Sequence, residues 1–129
     1  MILLDTCAII WDALESTKLT SQAKKAIKRD EKELLICDIS IWEISMLIKK
    51  RRIEVDDTSS GFINLLLQSR NFIIQEITPE IAELSVNFGP DINDDPADRL
   101  IAATSIYRNA PIVTADQNLI DATIIETIW

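Results

Sequence analysis

The stretch MILLDTCAIIW, residues 1–11, opens the chain with an apolar run that stops at an aspartate. A short apolar run bounded by a polar residue predicts a buried strand over 1–5, and the apolar residues beyond it predict a helix over 7–15. The stretch has neither a basic leading segment nor a small-residue cleavage site, so we do not expect a signal peptide. A strand that leads at once into a helix is the repeating unit of α/β proteins.

Apolar strands and helices continue to alternate along the rest of the sequence. Further strands are predicted over 34–39, 71–77, 111–115 and 123–128. Further helices are predicted over 21–31, from a Ser40 cap to 51, from Ser59 or Ser60 to 70, and over 79–88, 96–107 and 117–121. Strands separated by helices imply parallel βαβ units. We therefore expect a three-layer α/β/α sandwich with a central, mostly parallel five-stranded sheet.

The length and composition fit one globular domain over residues 1–129. The chain has 129 residues, of which 47% are hydrophobic, and it contains no interdomain linker. No apolar run approaches the roughly 18 residues that a membrane span requires, so no membrane association is expected. Cys7 and Cys37 are the only cysteines. Without a secretory signal they are expected to be reduced, buried thiols in a cytoplasmic protein.

The absence of histidine narrows the possible chemistry. It excludes a Ser-His-Asp hydrolase, a zinc site with histidine ligands, and a metal-free ribonuclease that uses histidine as acid and base. Any catalysis must therefore use carboxylates, hydroxyls, water and a hard cation.

The charge is strongly uneven along the chain. The net charge is −8, and residues 71–129 carry ten acidic but only two basic side chains. Such a protein is not a general nucleic-acid binder, because phosphate contacts need Lys and Arg. One compact basic run stands out: Lys49, Lys50, Arg51 and Arg52. It is either the solvated end of a helix or a contact for a phosphate backbone.

Four acidic residues lie inside or directly after apolar runs, namely Asp5, Glu43, Asp98 and Asp116. A buried carboxylate must become neutral, pair with a cation or bind a metal. Asp5 ends the first predicted strand and Asp116 follows the fourth, while Glu43 and Asp98 fall in the first turns of helices that would start at the same edge of the sheet. The four acids thus predict a Mg²⁺ or Mn²⁺ site that acts on phosphates.

Structural explanations compete with this interpretation for most of the four. Asp5 or Asp116 alone could cap the helix that follows it. Asp98 at the third helical position favours the helix dipole and could form a capping pair with Asp95. A purely structural role fits Glu43 least well, because its helical neighbours Trp42, Met46 and Leu47 are apolar.

Four motifs in order give the sequence a resemblance to a known family: DTCAIIW at 5–11, SIWEISMLIKKRRI at 40–53, DPADRLIAATS at 95–105 and VTADQNL at 113–119. Together they resemble the PIN-domain ribonucleases, and specifically the VapC-type toxins of prokaryotic toxin–antitoxin pairs. The resemblance covers essentially the whole chain. It implies that Asp5, Glu43, Asp98 and Asp116 form the Mg²⁺ or Mn²⁺ site of an endoribonuclease, with support from the hydroxyl of Thr114 and, less strongly, of Thr6.

The resemblance also implies partners and a product. A metal-activated water would cleave RNA to a 5′-phosphate and a 3′-hydroxyl, and an antitoxin would cover the site of a cytoplasmic homodimer. The sequence departs from the family in two places. Residues 91–94 lack the histidines that often precede the Asp-Pro of the third motif, and Gln117 stands where relatives often have a basic residue.

Three other interpretations of the acids compete with a metal-dependent ribonuclease. A phospho-accepting receiver domain needs an acidic pair after the first strand and a late lysine, but Thr6 follows Asp5 and no lysine occurs after Lys50. A phosphatase with an aspartate nucleophile would need a second aspartate at Cys7. A catalytically silent PIN-like module that only binds partners is disfavoured by the intact set of acids. The RNA target stays open.

Overall fold

The structure is a computed structural model that describes residues 1–129, and it contains five strands and seven α-helices. Their order is β1 Ile2–Leu4, α1 Thr6–Leu14, α2 Ser21–Arg29, β2 Leu34–Cys37, α3 Ile39–Lys49, α4 Ser59–Ser69, β3 Ile73–Gln75, α5 Pro79–Val86, α6 Pro96–Arg108, β4 Ile112–Val113, α7 Gln117–Asp121 and β5 Thr127–Ile128. A short 3₁₀ turn, Ser16–Lys18, links α1 to α2. No helix is both long and apolar enough to cross a bilayer.

The five strands form one fully parallel sheet in the order β3-β2-β1-β4-β5. Strand β1 lies at its centre, with Leu3 opposite Leu35 of β2 on one side and Ile112 of β4 on the other. The chain leaves β1 towards β2 and returns to its other flank as β4. In parallel sheets this change of direction opens a crevice at the carboxyl ends of the strands. The predicted sheet is confirmed, and this is the edge at which the four acids are predicted to lie.

Alternate strand residues bury against helices on the two faces of the sheet. Leu3, Leu35 and Ile112 pack with Ile101 of α6 on one face. The other face is covered by α1 to α4, through a larger cluster that includes Leu4, Ile9, Ile27, Ile36, Ile44, Ile63, Leu66 and Val113. Strands buried on both faces read as continuous apolar runs, which is why β1 and β2 were recognisable in the sequence. The α/β/α sandwich is confirmed.

Several predicted caps and boundaries hold. Thr20, Thr78 and Asp95 each accept a hydrogen bond from the backbone amide three residues ahead, and Pro79 and Pro96 occupy the first turns of their helices. The fourth helix starts at Ser59 as predicted, but its cap is Thr58.

The predicted Ser40 cap is wrong. Helix α3 begins at Ile39, so that Ser40 is already a helical residue. Asp38 precedes the helix and makes no capping bond with its side chain. The strand register fixes this start, since the Asp38 amide donates to the carbonyl of Gln75 at 3.1 Å. Ser40 is instead buried inside the first turn.

The cysteines follow the prediction only in part. Both are free thiols, but Cys7 is exposed whereas Cys37 is buried. Cys7 is the second residue of α1 and borders an open pocket. Its side chain is therefore exposed, although its neighbours in the sequence are mostly apolar.

One prediction follows from the central position of β1. Replacing Leu3, which is 0% exposed, by alanine should lower the free energy of unfolding by about 2–5 kcal/mol, because a cavity opens between the sheet and α6. Leu65, which is 63% exposed on α4, provides the matched leucine-to-alanine control, with a change within about 0.5 kcal/mol. Urea denaturation measures both. Equal losses would contradict the assigned core.

Candidate active site at the carboxyl edge of the sheet

An open pocket of about 380 Å³ lies at the carboxyl ends of the central strands. It brings together all four sequence-predicted acids and a fifth one, Asp95. The ten lining residues are Asp5, Thr6, Cys7, Trp11, Glu43, Asp95, Asp98, Ile101, Ala115 and Asp116. No Lys or Arg is among them, so the protein supplies no counter-charge in the pocket.

Asp5 combines a helix cap with a place in the pocket. Its Oδ1 accepts the Ala8 amide at 2.8 Å, which caps α1, while its Oδ2 accepts the hydroxyl of Thr114. The side chain is almost fully buried, and burial raises the pKa of Asp5 to about 6. The hydrogen bonds from Thr114 and Ala8 oppose that rise in pKa, and the charges of Asp116 and Asp98 add to it. The cap and the predicted site therefore coexist in one carboxylate.

Thr114 is the link between two acids. It directly follows β4, is fully buried, and donates to Asp5 on the neighbouring strand. The same hydroxyl oxygen accepts the amide of Asp116 at 3.0 Å. The side chain thereby fixes the Asp5 carboxylate relative to the turn that carries Asp116.

Glu43 lies in the second turn of α3 rather than in the first, because the helix begins at Ile39. Its Oε1 accepts the hydroxyl of Thr6, which also lies 3.0 Å from the Ser40 hydroxyl. Burial raises the pKa of Glu43, the bond from Thr6 lowers it, and the charges of Asp95 and Asp98 raise it further. Thr6 thus contacts a pocket acid, as the sequence suggested.

Asp98 is held by a residue that the sequence did not single out. Its Oδ2 accepts Nδ2 of Asn93 at 3.0 Å, and the Asn93 Oδ1 accepts the Asp95 amide at 2.9 Å. Burial raises the pKa of Asp98, the bond from Asn93 lowers it, and the charges of Asp116 and Asp95 raise it. The only sequence signal for Asn93 was its place in the polar loop before the Asp-Pro cap.

The nearest basic residue in sequence to Asp98 is directed elsewhere. The Arg99 guanidinium donates to the carbonyls of Asn93 at 2.8 Å and Ser85 at 3.0 Å, and it lies 3.5 Å from Asp94. These bonds tie the loop before α6 to α5. Since Arg99 does not line the pocket, its charge orders the loop that carries Asn93 without neutralising the acids.

Asp116, like Asp5, both caps a helix and lines the pocket. Its Oδ1 accepts the amides of Asn118 at 2.8 Å and Leu119 at 3.2 Å, which caps α7. Its Oδ2 makes no hydrogen bond within the chain and the side chain is half-buried, which leaves one oxygen open to a ligand.

The basic run lies outside the pocket. Lys49 ends α3 and the next three residues, Lys50, Arg51 and Arg52, are exposed beyond it. Arg51 adopts a left-handed backbone conformation with φ of 55°. The position is that of a solvated helix end, and an additional contact with RNA stays a prediction.

The donor set suits a hard divalent cation. The polar groups on offer are carboxylate and hydroxyl oxygens, the ligands that Mg²⁺ and Mn²⁺ prefer. Burial raises the pKa values of Asp5, Glu43 and Asp98, and neighbouring carboxylates raise them further. No three of the acids close around a single point as metal ligands would. The hydrogen bonds of Thr6, Thr114 and Asn93 instead hold them around the pocket.

Comparisons with known proteins agree with this architecture. The chain is 31% identical over 118 residues to ribonuclease VapC22 of Mycobacterium tuberculosis, and the match covers 92% of this chain and 88% of that protein. The fold resembles that of VapBC2 from Rickettsia felis bound to a DNA fragment from its promoter, with a TM-score of 0.74, 16% identity, and coverage of 98% and 97% of the two chains.

A toxin–antitoxin complex from Klebsiella pneumoniae is also similar, with a TM-score of 0.69, 21% identity, and coverage of 98% of this chain and 97% of the other. At these identities the solved structures show the shared fold. The family model described as PIN domain matches residues 2–125. With a family match over nearly its entire length, the chain belongs to the PIN-domain family.

Proposed function

We propose that this protein is an endoribonuclease toxin whose activity depends on Mg²⁺ or Mn²⁺ at Asp5, Glu43, Asp98 and Asp116. One observation carries the proposal: four carboxylates from four separate segments line one open pocket that contains no protein cation. The relative from Mycobacterium tuberculosis is named a ribonuclease, which supports RNA as the substrate. Because the chain has no histidine, the carboxylates are the groups that can take part in catalysis.

The divalent cation would supply charge neutralisation and an activated water for attack on phosphorus. The residues of the chain position the acids for that task. Thr114 orients Asp5, Thr6 orients Glu43, and Asn93 orients Asp98. Attack by that water, with the P–O3′ bond breaking and the 3′-oxygen leaving as a hydroxyl, would give a 5′-phosphate and a 3′-hydroxyl, in contrast to the cyclic phosphate of a 2′-hydroxyl mechanism.

The proposed regulator is an antitoxin protein. The similar solved structure from Klebsiella pneumoniae is described as a toxin–antitoxin complex. An acidic pocket without its own counter-charge is a receptor for an Arg or Lys side chain from such a partner. Assembly as a homodimer, and an RNA-backbone contact at Lys49, Lys50, Arg51 and Arg52, belong to the same proposal.

The first test is cleavage of a mixed RNA pool by the purified protein. Cleavage is expected with Mn²⁺, with 5′-phosphate products, and is expected to disappear with EDTA or in Asp5→Asn. Asp56→Asn is the matched control, because Asp56 is exposed and has no side-chain partner. Sequencing of adaptor-ligated 5′-phosphate ends detects both the cuts and their chemistry.

Each alternative result has a defined meaning. Cleavage that survives EDTA would contradict the metal-dependent mechanism. An equal loss in Asp56→Asn and Asp5→Asn would contradict the assigned pocket. No cleavage by folded, antitoxin-free protein would favour the silent binding module.

Thr114→Val should weaken the site while preserving the shape of the buried side chain. The variant loses the donor to Asp5 and the acceptor for the Asp116 amide, so kcat/KM should fall about tenfold or more. Thr104→Val is the matched control, since Thr104 is also 0% exposed but lies outside the pocket. A similar loss of activity in both variants at equal folded fractions would refute a specific role for Thr114.

The acidic pocket should make metal-free stability depend on pH. The pKa of Asp5 is raised from 3.8 to about 6, so the folded state holds the proton more tightly than the unfolded chain. Stability is therefore lost as pH rises from about 4 to about 6, by about 3 kcal/mol at most. Asp5→Asn should remove this loss and melt at a higher temperature than the wild type at pH 7.5 in EDTA.

Thermal melting across this pH range measures the effect. Mn²⁺ should raise the melting temperature of the wild type and have a much smaller effect on Asp5→Asn. A wild type that gains stability between pH 4 and 6 relative to Asp5→Asn would contradict the raised pKa of Asp5.

A further inference from the structure

One aromatic ring borders the acidic pocket. Trp11 lies in α1 six residues after Asp5, is half-buried, and is the only aromatic residue of the lining. Of the other apolar lining residues, Ile101 is only 2% exposed. The indole therefore provides the largest apolar surface that a molecule in the pocket can contact.

A second tryptophan packs against the Trp11 ring. The ring centroids of Trp11 and Trp129 are 5.7 Å apart with an interplanar angle of 48°, and both rings pack against the main core. Such tilted pairs are favourable aromatic contacts. Because the indole is already ordered, a ligand that packs on it loses little additional conformational freedom.

An exposed cation lies beside the ring. The Lys18 ammonium lies 5.7 Å from the centroid of Trp11 and 3.2 Å from the Glu15 carboxylate. Both Lys18 and Glu15 are more than half exposed, so this ion pair is weak and its geometry is easily exchanged. Stacking of a base on an aromatic ring is a stronger interaction than an exposed cation–π contact. An arriving base can therefore displace the ammonium towards its phosphate.

An RNA that binds at this pocket needs contacts away from the phosphate that reacts. Its five carboxylates repel a phosphate, and none of the lining residues carries a positive charge. An RNA held at this pocket must gain its affinity outside the phosphate that reacts. Aromatic stacking supplies affinity from the base and tolerates any sequence, because every base has a π-face.

We propose that Trp11, backed by Trp129, stacks on a nucleobase beside the scissile phosphate, and that Lys18 contacts an adjacent phosphate. The proposal rests on the proposed ribonuclease function and adds a substrate-positioning platform to it. Trp11 and Lys18 would bind the RNA next to the acids, while the divalent cation would bind the reacting phosphate.

Binding to two probes with equal charge tests the stacking. In an Asp5→Asn background, which is expected not to cleave RNA, fluorescence anisotropy measures the affinity for an oligoadenylate and for an abasic ribose-phosphate oligomer of the same length. Trp11→Ala should weaken oligoadenylate binding about tenfold and abasic binding less than twofold. Trp11→Phe should recover most of the affinity. Trp42→Ala is the control, because Trp42 is 58% exposed and does not line the pocket.

The salt dependence tests Lys18. Lys18→Gln should lower the slope of log affinity against log salt by about 0.7, the loss of one contact with a single-stranded phosphate. Lys25→Gln, an exposed lysine on α2, should leave the slope unchanged. Equal slopes for Lys18→Gln and the parent would overturn the phosphate contact.

Cleavage kinetics separate failure of this inference from failure of the proposed function. With Asp5 intact, Trp11→Ala should raise KM about tenfold and change kcat much less, whereas a ring that only packs would lower the melting temperature without raising KM. Wild-type cleavage together with equal KM values for Trp11→Ala and Trp42→Ala would overturn the platform alone. Absence of both binding and cleavage in the wild type would overturn the platform and the ribonuclease together.

Discussion

The parallel pairing of β1 with β4 is the constraint on which the acidic pocket depends. It places Asp5, at the end of one strand, beside Thr114, at the end of the other, although the two residues are 109 positions apart in the chain. The Thr114 hydroxyl then joins the Asp5 carboxylate to the backbone of Asp116. Since the buried residues of β1 and β4 are apolar, this hydroxyl is one of the few groups that can hold a carboxylate at their ends.

The carboxylates of the pocket repel one another, and the rest of the fold holds them in place. Three of its acids have raised pKa values, with burial as the foremost cause and neighbouring carboxylates as an addition. Each accepts a hydrogen bond from one neutral side chain: Thr114, Thr6 or Asn93. Neutral donors orient a carboxylate without cancelling its charge. The site consequently remains able to attract a cation, whether a metal ion or a side chain of a partner.

The sequence allowed the sheet and the four acids to be predicted because both depend on local pattern. Apolar runs mark doubly buried strands, and acids that end such runs fall at the carboxyl edge of a parallel sheet. Other features depend on tertiary contacts that no local pattern encodes. Glu43 lies in the second turn of α3 rather than the first, because a bond to β3 fixes the start of the helix two residues earlier than predicted. The exposure of Cys7, the contact of Asn93 with Asp98 and the place of Asp95 in the pocket depend on how separate segments of the chain converge.

The separation of the pocket residues along the chain has a consequence for synthesis on the ribosome. Asp5 and Glu43 emerge early, but Thr114 and Asp116 belong to the last part of the sequence. Because chains emerge from their N-terminal end and β1 obtains its β4 neighbour only then, a nascent or prematurely released polypeptide cannot assemble the acidic centre. The acidic centre is therefore complete only after all of residues 1–116 have been made, and a product that ends earlier lacks part of it.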